Sequence, residues 1–313
     1  MDVEALVTGV LAGDRRAVAR AISAVEDGAA GLEALSEGIF ASTGRAATIG
    51  LTGAPGVGKS TLAAGIVRVC RERDLGAAVL AVDPTSPYTG GALLGDRVRM
   101  QEHATDPSVF IRSMATRGHL GGMALAAPEA VRILDAAGYD RIVVETVGVG
   151  QAEVDVAAAT DTAVVVLAPG MGDAVQMAKA GILEVADVFV VNKADRDGAA
   201  EVVRELRQML HLGAARDWDP PVLTTSALDQ EGVEALWQAV EDHRQHLEAG
   251  GALAAKRRAR LLREVEALAA ERFRVRVAAA LETDERLVED LLERRIDPYG
   301  AAAMLERQAL ASP

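Results

Sequence analysis

The sequence predicts an α/β protein built on a doubly wound, mainly parallel sheet, with helical extensions at both ends. Three observations predict it. Short Val/Ile/Leu runs without polar alternation recur through the middle of the chain, as expected of strands buried on both faces. Segments with helical spacing separate most of them. Before and after this region the pattern is helical alone.

Residues 1–45 read as helices, with VEALVTGVLAG and RRAVARAISAVEDG carrying apolar residues at helical spacing. Strands are expected at 46–52, 77–83, 108–113, 140–146, 162–168, 187–192 and 221–225. From about 252 the helical pattern returns. LLREVEALAAERF places Leu262, Val265, Ala269 and Phe273 on one face, and ETDERLVEDLLERRIDP gives another helix. EAGGALAA (248–255) reads as a linker. The expected division is therefore 1–45, an N-terminal helical extension; 46–247, the α/β domain; and 248–313, a C-terminal helical region. No internal repeat is visible.

Composition narrows the function. The 313 residues are 50% hydrophobic, ample for one large core plus extensions. The 46 acidic residues outnumber 33 basic ones, giving −13, which disfavours nucleic acid and anionic membranes as partners. The single cysteine, Cys70, allows no intramolecular disulfide and suits a reducing cytoplasm. It lies in an apolar helical run and reads as a small core residue. No signal peptide is expected from the acidic N-terminus, and no apolar run approaches the ~18 residues of a membrane span.

GAPGVGKST, residues 53–61, follows a strand and opens a helix. It fits G-x-x-x-x-G-K-[ST], a phosphate-binding P-loop. Gly53 and Gly58 let backbone N–H groups curl around phosphate oxygens, with Ala54, Pro55, Gly56 and Val57 between them. Lys59 is expected to reach the terminal phosphates and Ser60 to offer its hydroxyl to Mg²⁺. Thr61 continues into a helix whose N-terminus favours anions. VVNKAD ends a late strand, and TTSAL ends the next. In N-K-x-D, Asp195 can accept both guanine N1–H and N2–H, a donor pair that adenine lacks. Asn192 is expected at guanine's other edge and the Lys193 stem over the ring. Ser226, Ala227 and Leu228 form the second base loop, with backbone N–H near Ala227 available to O6.

The second acidic element is VVETVGVGQ, where Glu145-x-x-Gly148 stands in place of the usual D-x-x-G. Gly148 can offer its N–H to a γ-phosphate, and Glu145 can hold the Mg²⁺ shell. Asp83 at a strand end and Asp96 beyond a glycine-containing loop add two carboxylates. The expected metal set is Ser60, Asp83, Asp96 and Glu145. No glutamine directly follows Gly148, and Gln151 lies further on. Asp96 and Glu145 are the candidates to position water, with Lys59 neutralising charge.

Together, GAPGVGKST, VDPTSPYTGGALLGDRVRM, FIRSMATRGHLGG, ETVGVGQAEVDV, APGMGDAVQMAKAGILEVADVFVVNKAD and TSAL resemble the MeaB family. These are methylmalonyl-CoA mutase-associated GTPases, formerly described as arginine/ornithine transport ATPases or kinases. The match is close over roughly 40–250, and the E-x-x-G departure is itself a family trait. The resemblance implies a SIMIBI-class P-loop GTPase using Mg²⁺ and GTP, and a homodimer joined through the C-terminal helices. It implies a cytoplasmic chaperone for an adenosylcobalamin-dependent acyl-CoA mutase, with an adenosyltransferase as a further partner and no cobalamin held by this chain. It also assigns 172–179 to a loop coupling nucleotide state to the partner, with Gly172, Asp173, Gln176 and Lys179 as its candidates.

Other signals are weaker. His243 and His246 in HRQH read as two exposed histidines, or less readily as a metal pair. AKRRAR (255–260) reads as a solvated helix face, or else a site for RNA or an acidic partner. His119 sits in a glycine-flanked loop, where a functional and a structural role stand level. Two other functions compete. A metallochaperone GTPase would need a Cys/His pair near a switch. A kinase of basic amino acids would need an acceptor site that the sequence does not reveal.

Overall fold

The computed structural model describes residues 2–83, 105–115, 123–146, 156, 158–170, 182–213 and 216–311. The chain divides into two compact units, Met1–Arg260 and Leu261–Pro313.

The first unit is organised by a seven-stranded sheet. Its strands are β1 (Ala47–Thr52), β2 (Ala77–Asp83), β3 (Val109–Ala115), β4 (Arg141–Thr146), β5 (Thr162–Leu167), β6 (Val188–Asn192) and β7 (Val222–Thr225). Their order is β3-β2-β4-β1-β5-β6-β7, and every neighbouring pair is parallel. All seven expected strands are present, their ends shifted by at most two residues. β1 is buried along its whole length, Thr48 and Thr52 included, as expected of a strand covered on both faces.

Each face of the sheet has its own core. On one, α4 (Lys59–Glu72) and α7 (Val233–Ala249) bury Leu62, Ile66, Leu236 and Trp237 against Ile49, Leu51, Val143 and Val164. On the other, α1 (Val3–Leu11), α2 (Arg15–Glu26), α3 (Leu32–Phe40) and α5 (Met123–Ala136) pack Val18, Ile22, Leu35, Ile39 and Ile133 against Val82, Met114 and Val144. The N-terminal helices are therefore part of the main core. Asp2 and Asp14 cap α1 and α2 by accepting from Ala5 N and Ala17 N at 3.1 and 2.7 Å. α6 (Ala199–Leu212) covers β5 and β6 through Leu206.

Residues 248–255 are not an open linker. They comprise the end of α7, a turn at Gly250–Gly251 and the start of α8 (Ala252–Thr283). Nor is the basic run 255–260 a solvated face. Asp161, buried just before β5, accepts from Arg257 Nη2 at 2.6 Å and from Arg260 Nη1 at 3.3 Å. Arg257 also donates to the carbonyls of Gly44 and Ala46 (2.5 and 2.8 Å). Lys256 Nζ donates to Asp161 O and Asp187 Oδ2. Charge composition hid this latch because the anions that select the inward-facing cations are distant in sequence.

His243 is a second correction: it is buried, not exposed. Nδ1 lies 2.9 Å from Thr162 Oγ1 and Nε2 lies 3.3 Å from Asp187 Oδ1. The Trp218 ring packs tilted against it at 5.1 Å and lies 5.2 Å from the ring of the exposed His246. Burial, the largest influence, pulls the His243 pKa below its ordinary value, against Asp187, which raises it. Cys70 is in the core as expected, and burial pushes its thiol up to about 12.

The second unit comprises α8 from Leu261, α9 (Glu285–Leu292) and α10 (Pro298–Ala311). Its small core is Leu287, Ala301 and Leu305, with Val277, Ala280, Leu291 and Ile296 against it. Leu262 and Val265 are 48% and 62% exposed, so the apolar face expected on α8 is present but uncovered. Among the described residues no helix is long and apolar enough to cross a membrane.

The Asp161 latch yields a stability prediction. Burial alone would raise this pKa, but the Arg257 hydrogen bond and the Arg260 and Arg257 charges hold it below 3.8. Its contribution is therefore complete at neutral pH and lost as pH falls from about 3.8 through the lower folded value. Asp161→Asn should cost roughly 2–4 kcal/mol at pH 7, because it strands two half-buried guanidinium groups. The deficit should shrink in acid. Denaturant titrations at pH 7 and pH 3 measure both. A pH 7 cost below about 1 kcal/mol would reduce the latch to an ordinary surface pair.

Candidate nucleotide-binding site

The site lies at the carboxyl ends of the central strands, where parallel α/β sheets bind ligands. β1 ends at Thr52 and the chain turns through Gly53–Gly58 into α4. Gly53 has φ +140°, and a Cβ there would come within 2.1 Å of Val166 O. Gly58 has φ +102°, and its Cβ would meet Asn192 Nδ2 at 2.2 Å. Both turn positions therefore exclude a side chain, for conformation and for space. Val57 is buried in the α4-side core, while Pro55 and Gly56 form the exposed crest.

Lys59, only 6% exposed, points back under the loop. Its Nζ donates to Gly53 O at 2.6 Å and Ala54 O at 3.0 Å. The ammonium is thus fixed beneath the loop, beside the N-terminus of α4. Ser60 Oγ donates to Glu145 Oε1 at 2.7 Å. Glu145 is 2% exposed and pairs with Leu51 of β1 in the parallel ladder, which aims it at the first turn of α4. Asp83 ends β2 one residue beyond the Val82↔Thr146 pair, so its backbone is at the same edge of the sheet.

The base motifs converge from β6 and β7. Asn192 is buried, with Nδ2 donating to Val57 O at 2.8 Å. Its Oδ1 accepts from Thr225 Oγ1 and Ala227 N at 3.0 and 3.1 Å. The sequence reading set Asn192 at guanine's edge and the Ala227 N–H at O6; here the two groups bond each other and tie the loops together. Lys193 adopts φ +58°, unusual for a side-chain-bearing residue, and its Nζ donates to Gly56 O at 2.6 Å. That turn leaves Asp195 exposed with Oδ1 3.3 Å from Ser226 Oγ. The single Ser226 hydroxyl proton goes to Asp229 Oδ2, which is nearer at 2.5 Å. The Asp195 carboxylate thus keeps its acceptor capacity at the surface, beside the exposed Leu228.

Residues 53–61, Glu145, Asn192, Lys193, Asp195 and 226–228 are therefore brought to one edge of the sheet. Asp96, His119, Gly148, Gly172, Asp173, Gln176 and Lys179 lie outside the described residues, as does the Asp83 side chain. Sequence reasoning missed Asp229 and Gln230, which brace the second base loop through Ser226 and Ala227 O. Their signal was present in TSALDQEG, where polar residues follow a strand end. Among the described residues no cluster of three His, Cys, Asp or Glu side chains is placed to hold a metal.

A P-loop on a parallel sheet, joined by N-K-x-D and a serine-alanine loop, defines a P-loop nucleoside triphosphatase of the guanine-binding type. The sequence model described as methylmalonyl Co-A mutase-associated GTPase MeaB matches residues 18–282. A putative GTPase of Pyrococcus horikoshii is 47% identical over 97% of this chain and 97% of its own length. GTPase ArgK of Escherichia coli is 40% identical, covering 77% and 76% of the two chains. Methylmalonic aciduria type A homolog, mitochondrial, of Mus musculus is 37% identical over 82% of this chain and 66% of its own. A crystal structure titled LAO/AO transport system kinase superposes with a TM-score of 0.70 at 27% identity, covering 99% and 98% of the two chains. The chain belongs to the MeaB family and is a GTPase.

Two substitutions probe the site. Lys59→Ala should abolish hydrolysis, since it removes the fixed charge under the loop. Asp195→Asn should weaken GTP binding at least ~10-fold, because an amide donor replaces a carboxylate acceptor facing guanine N–H groups. Xanthosine nucleotides, whose C2 oxygen matches an amide donor, should gain. Binding isotherms with both nucleotides decide it, and unchanged GTP affinity would remove Asp195 from the base site.

Proposed function

We propose that this GTPase is a chaperone of an adenosylcobalamin-dependent acyl-CoA mutase, of the methylmalonyl-CoA type. It uses GTP to gate cofactor loading and to protect or reactivate the mutase. One observation carries the reading: the family whose model spans residues 18–282 is described by its association with methylmalonyl-CoA mutase. The name of the murine relative points to the same metabolism. An adenosyltransferase is the further partner, the compartment is the cytoplasm, and cobalamin stays on the mutase.

In the hydrolytic site, Lys59 neutralises the terminal phosphates, and the backbone of 53–58 with the N-terminus of α4 holds them. Asp195 selects guanine. Gly148 contacts the γ-phosphate. The buried pair of Ser60 hydroxyl and Glu145 carboxylate at 2.7 Å offers hard oxygen donors that fit Mg²⁺. Asp83 and Asp96 complete that set, and Asp96 with Glu145 positions water. Bound Mg²⁺ would neutralise charge on the phosphates. A metallochaperone role lacks its thiol, since Cys70 is buried and its pKa is raised to about 12.

The two units keep distinct duties: 1–260, N-terminal helices included, for GTP, and 261–313 for self-association. The uncovered apolar face of α8 supports a homodimer through the C-terminal helices. Sedimentation of Val265→Glu should then show monomers where the wild type shows dimers. A monomeric wild type would end this part of the reading.

A GTPase with no glutamine directly after Gly148 should be slow alone and accelerated by a partner that orders its loops. Single-turnover hydrolysis should therefore rise substantially when the mutase is added. Gln176→Ala with Lys179→Ala should keep basal hydrolysis and lose the acceleration. GTP and mutase should change each other's affinity by one factor. If no cobalamin-dependent mutase binds or stimulates the wild type, the chaperone role falls and the GTPase remains.

A further inference from the structure

One row of side chains crosses the α1–α3 face of the sheet at the carboxyl ends of its strands. The registers give it as Met114, Val82, Thr146, Thr52, Val165 and Phe189. All six are buried. Four are apolar. The central two are threonines, adjacent because Leu51 pairs with Glu145 one residue earlier.

Among the described residues neither threonine hydroxyl has a hydrogen-bond partner. The other buried threonines described in the first unit are partnered. Thr48 accepts from Asp161 N, Thr160 donates to Val156 O, Thr162 pairs with His243, and Thr225 donates to Asn192. Valine would fill the same volume, suit a strand equally and leave no polar atom stranded. The fold alone therefore gives no reason for hydroxyls at 52 and 146.

Their location supplies one. Thr52 immediately precedes Gly53, whose carbonyl holds Lys59. Thr146 immediately follows Glu145, which holds Ser60. Both phosphate-site groups thus spring from this joint, although Glu145 itself points to the opposite face with Leu51. We propose that Thr52 and Thr146 are positioning residues for GTP hydrolysis, their hydroxyls sharing one buried water that locks the tips of β1 and β4. Two adjacent hydroxyls supply the minimum polar partners that such a water needs. The lock fixes the spacing between the Lys59 loop and Glu145, and it rests on the phosphate site assigned above.

The test compares Thr52→Val, Thr146→Val and the hydroxyl-retaining Thr52→Ser and Thr146→Ser in the full chain, with Lys59→Ala as control. Thermal unfolding and steady-state GTP hydrolysis are measured for each. The valine variants should unfold at the wild-type temperature or above. Their KM for GTP should stay within about twofold while kcat falls about 10-fold or more, as expected when transition-state geometry alone is disturbed. The serine variants should retain kcat within about threefold. The inference is overturned if either valine variant keeps kcat within about twofold of wild type, or if the serine variants lose as much as the valines. Should Lys59→Ala still hydrolyse GTP, the phosphate site itself is misassigned and this inference goes with it.

Discussion

The ladder that joins β1 to β4 and β5 is the constraint from which the site follows. Ala47–Leu51 are in parallel register with Arg141–Glu145, and Ile49–Thr52 with Thr162–Val165. β1 is thus held on both edges and buried on both faces. Backbone groups in such a strand are satisfied only in one register, since a slip by one residue would turn every side chain to the wrong face. That register brings Glu145 to Ser60. It also delivers the chain to Gly53 at the point where Val166 O leaves room for no Cβ. Lys59 then closes the turn by donating to the loop's own carbonyls.

A second set of ties makes the phosphate loop and the base loops one object. Asn192 bonds Val57 O on one side and Ala227 N and Thr225 Oγ1 on the other. Lys193 reaches Gly56 O. Three loops from three strands are therefore cross-linked by side chains from one motif. An amide suits this because it donates and accepts at once. Residues usually credited with reading a base thus also hold the frame against which the base is read.

Much of the fold was legible because its strands are pure apolar runs, and period and burial agree there. All seven strands, the P-loop and the paired base motifs follow from local pattern. What was not legible depends on partners distant in sequence. Nothing in HRQH indicates that His243 turns inward, because Thr162, Asp187 and Trp218 decide it. AKRRAR looks solvated until Asp161 is found beneath it. Nor does TSAL show that the Ala227 N–H donates to the Asn192 carboxamide. In each case the sequence showed the group but not its partner.

The latch at Asp161 bears on where the chain could be cut. By the sequence pattern α7 is the last helix of the GTP-binding region, and severing the chain after it looks harmless. The contacts say otherwise. Arg257 covers the carbonyls of Gly44 and Ala46 at the root of β1, and with Arg260 it neutralises a carboxylate buried beside Thr48. A fragment ending near 247 would retain every nucleotide motif yet leave that anion without its cations. A protease nick or early stop in the first turns of α8 would therefore be felt at the opposite end of β1 from the phosphate loop. A fragment that keeps the latch must reach Arg260, where the compact first unit also ends.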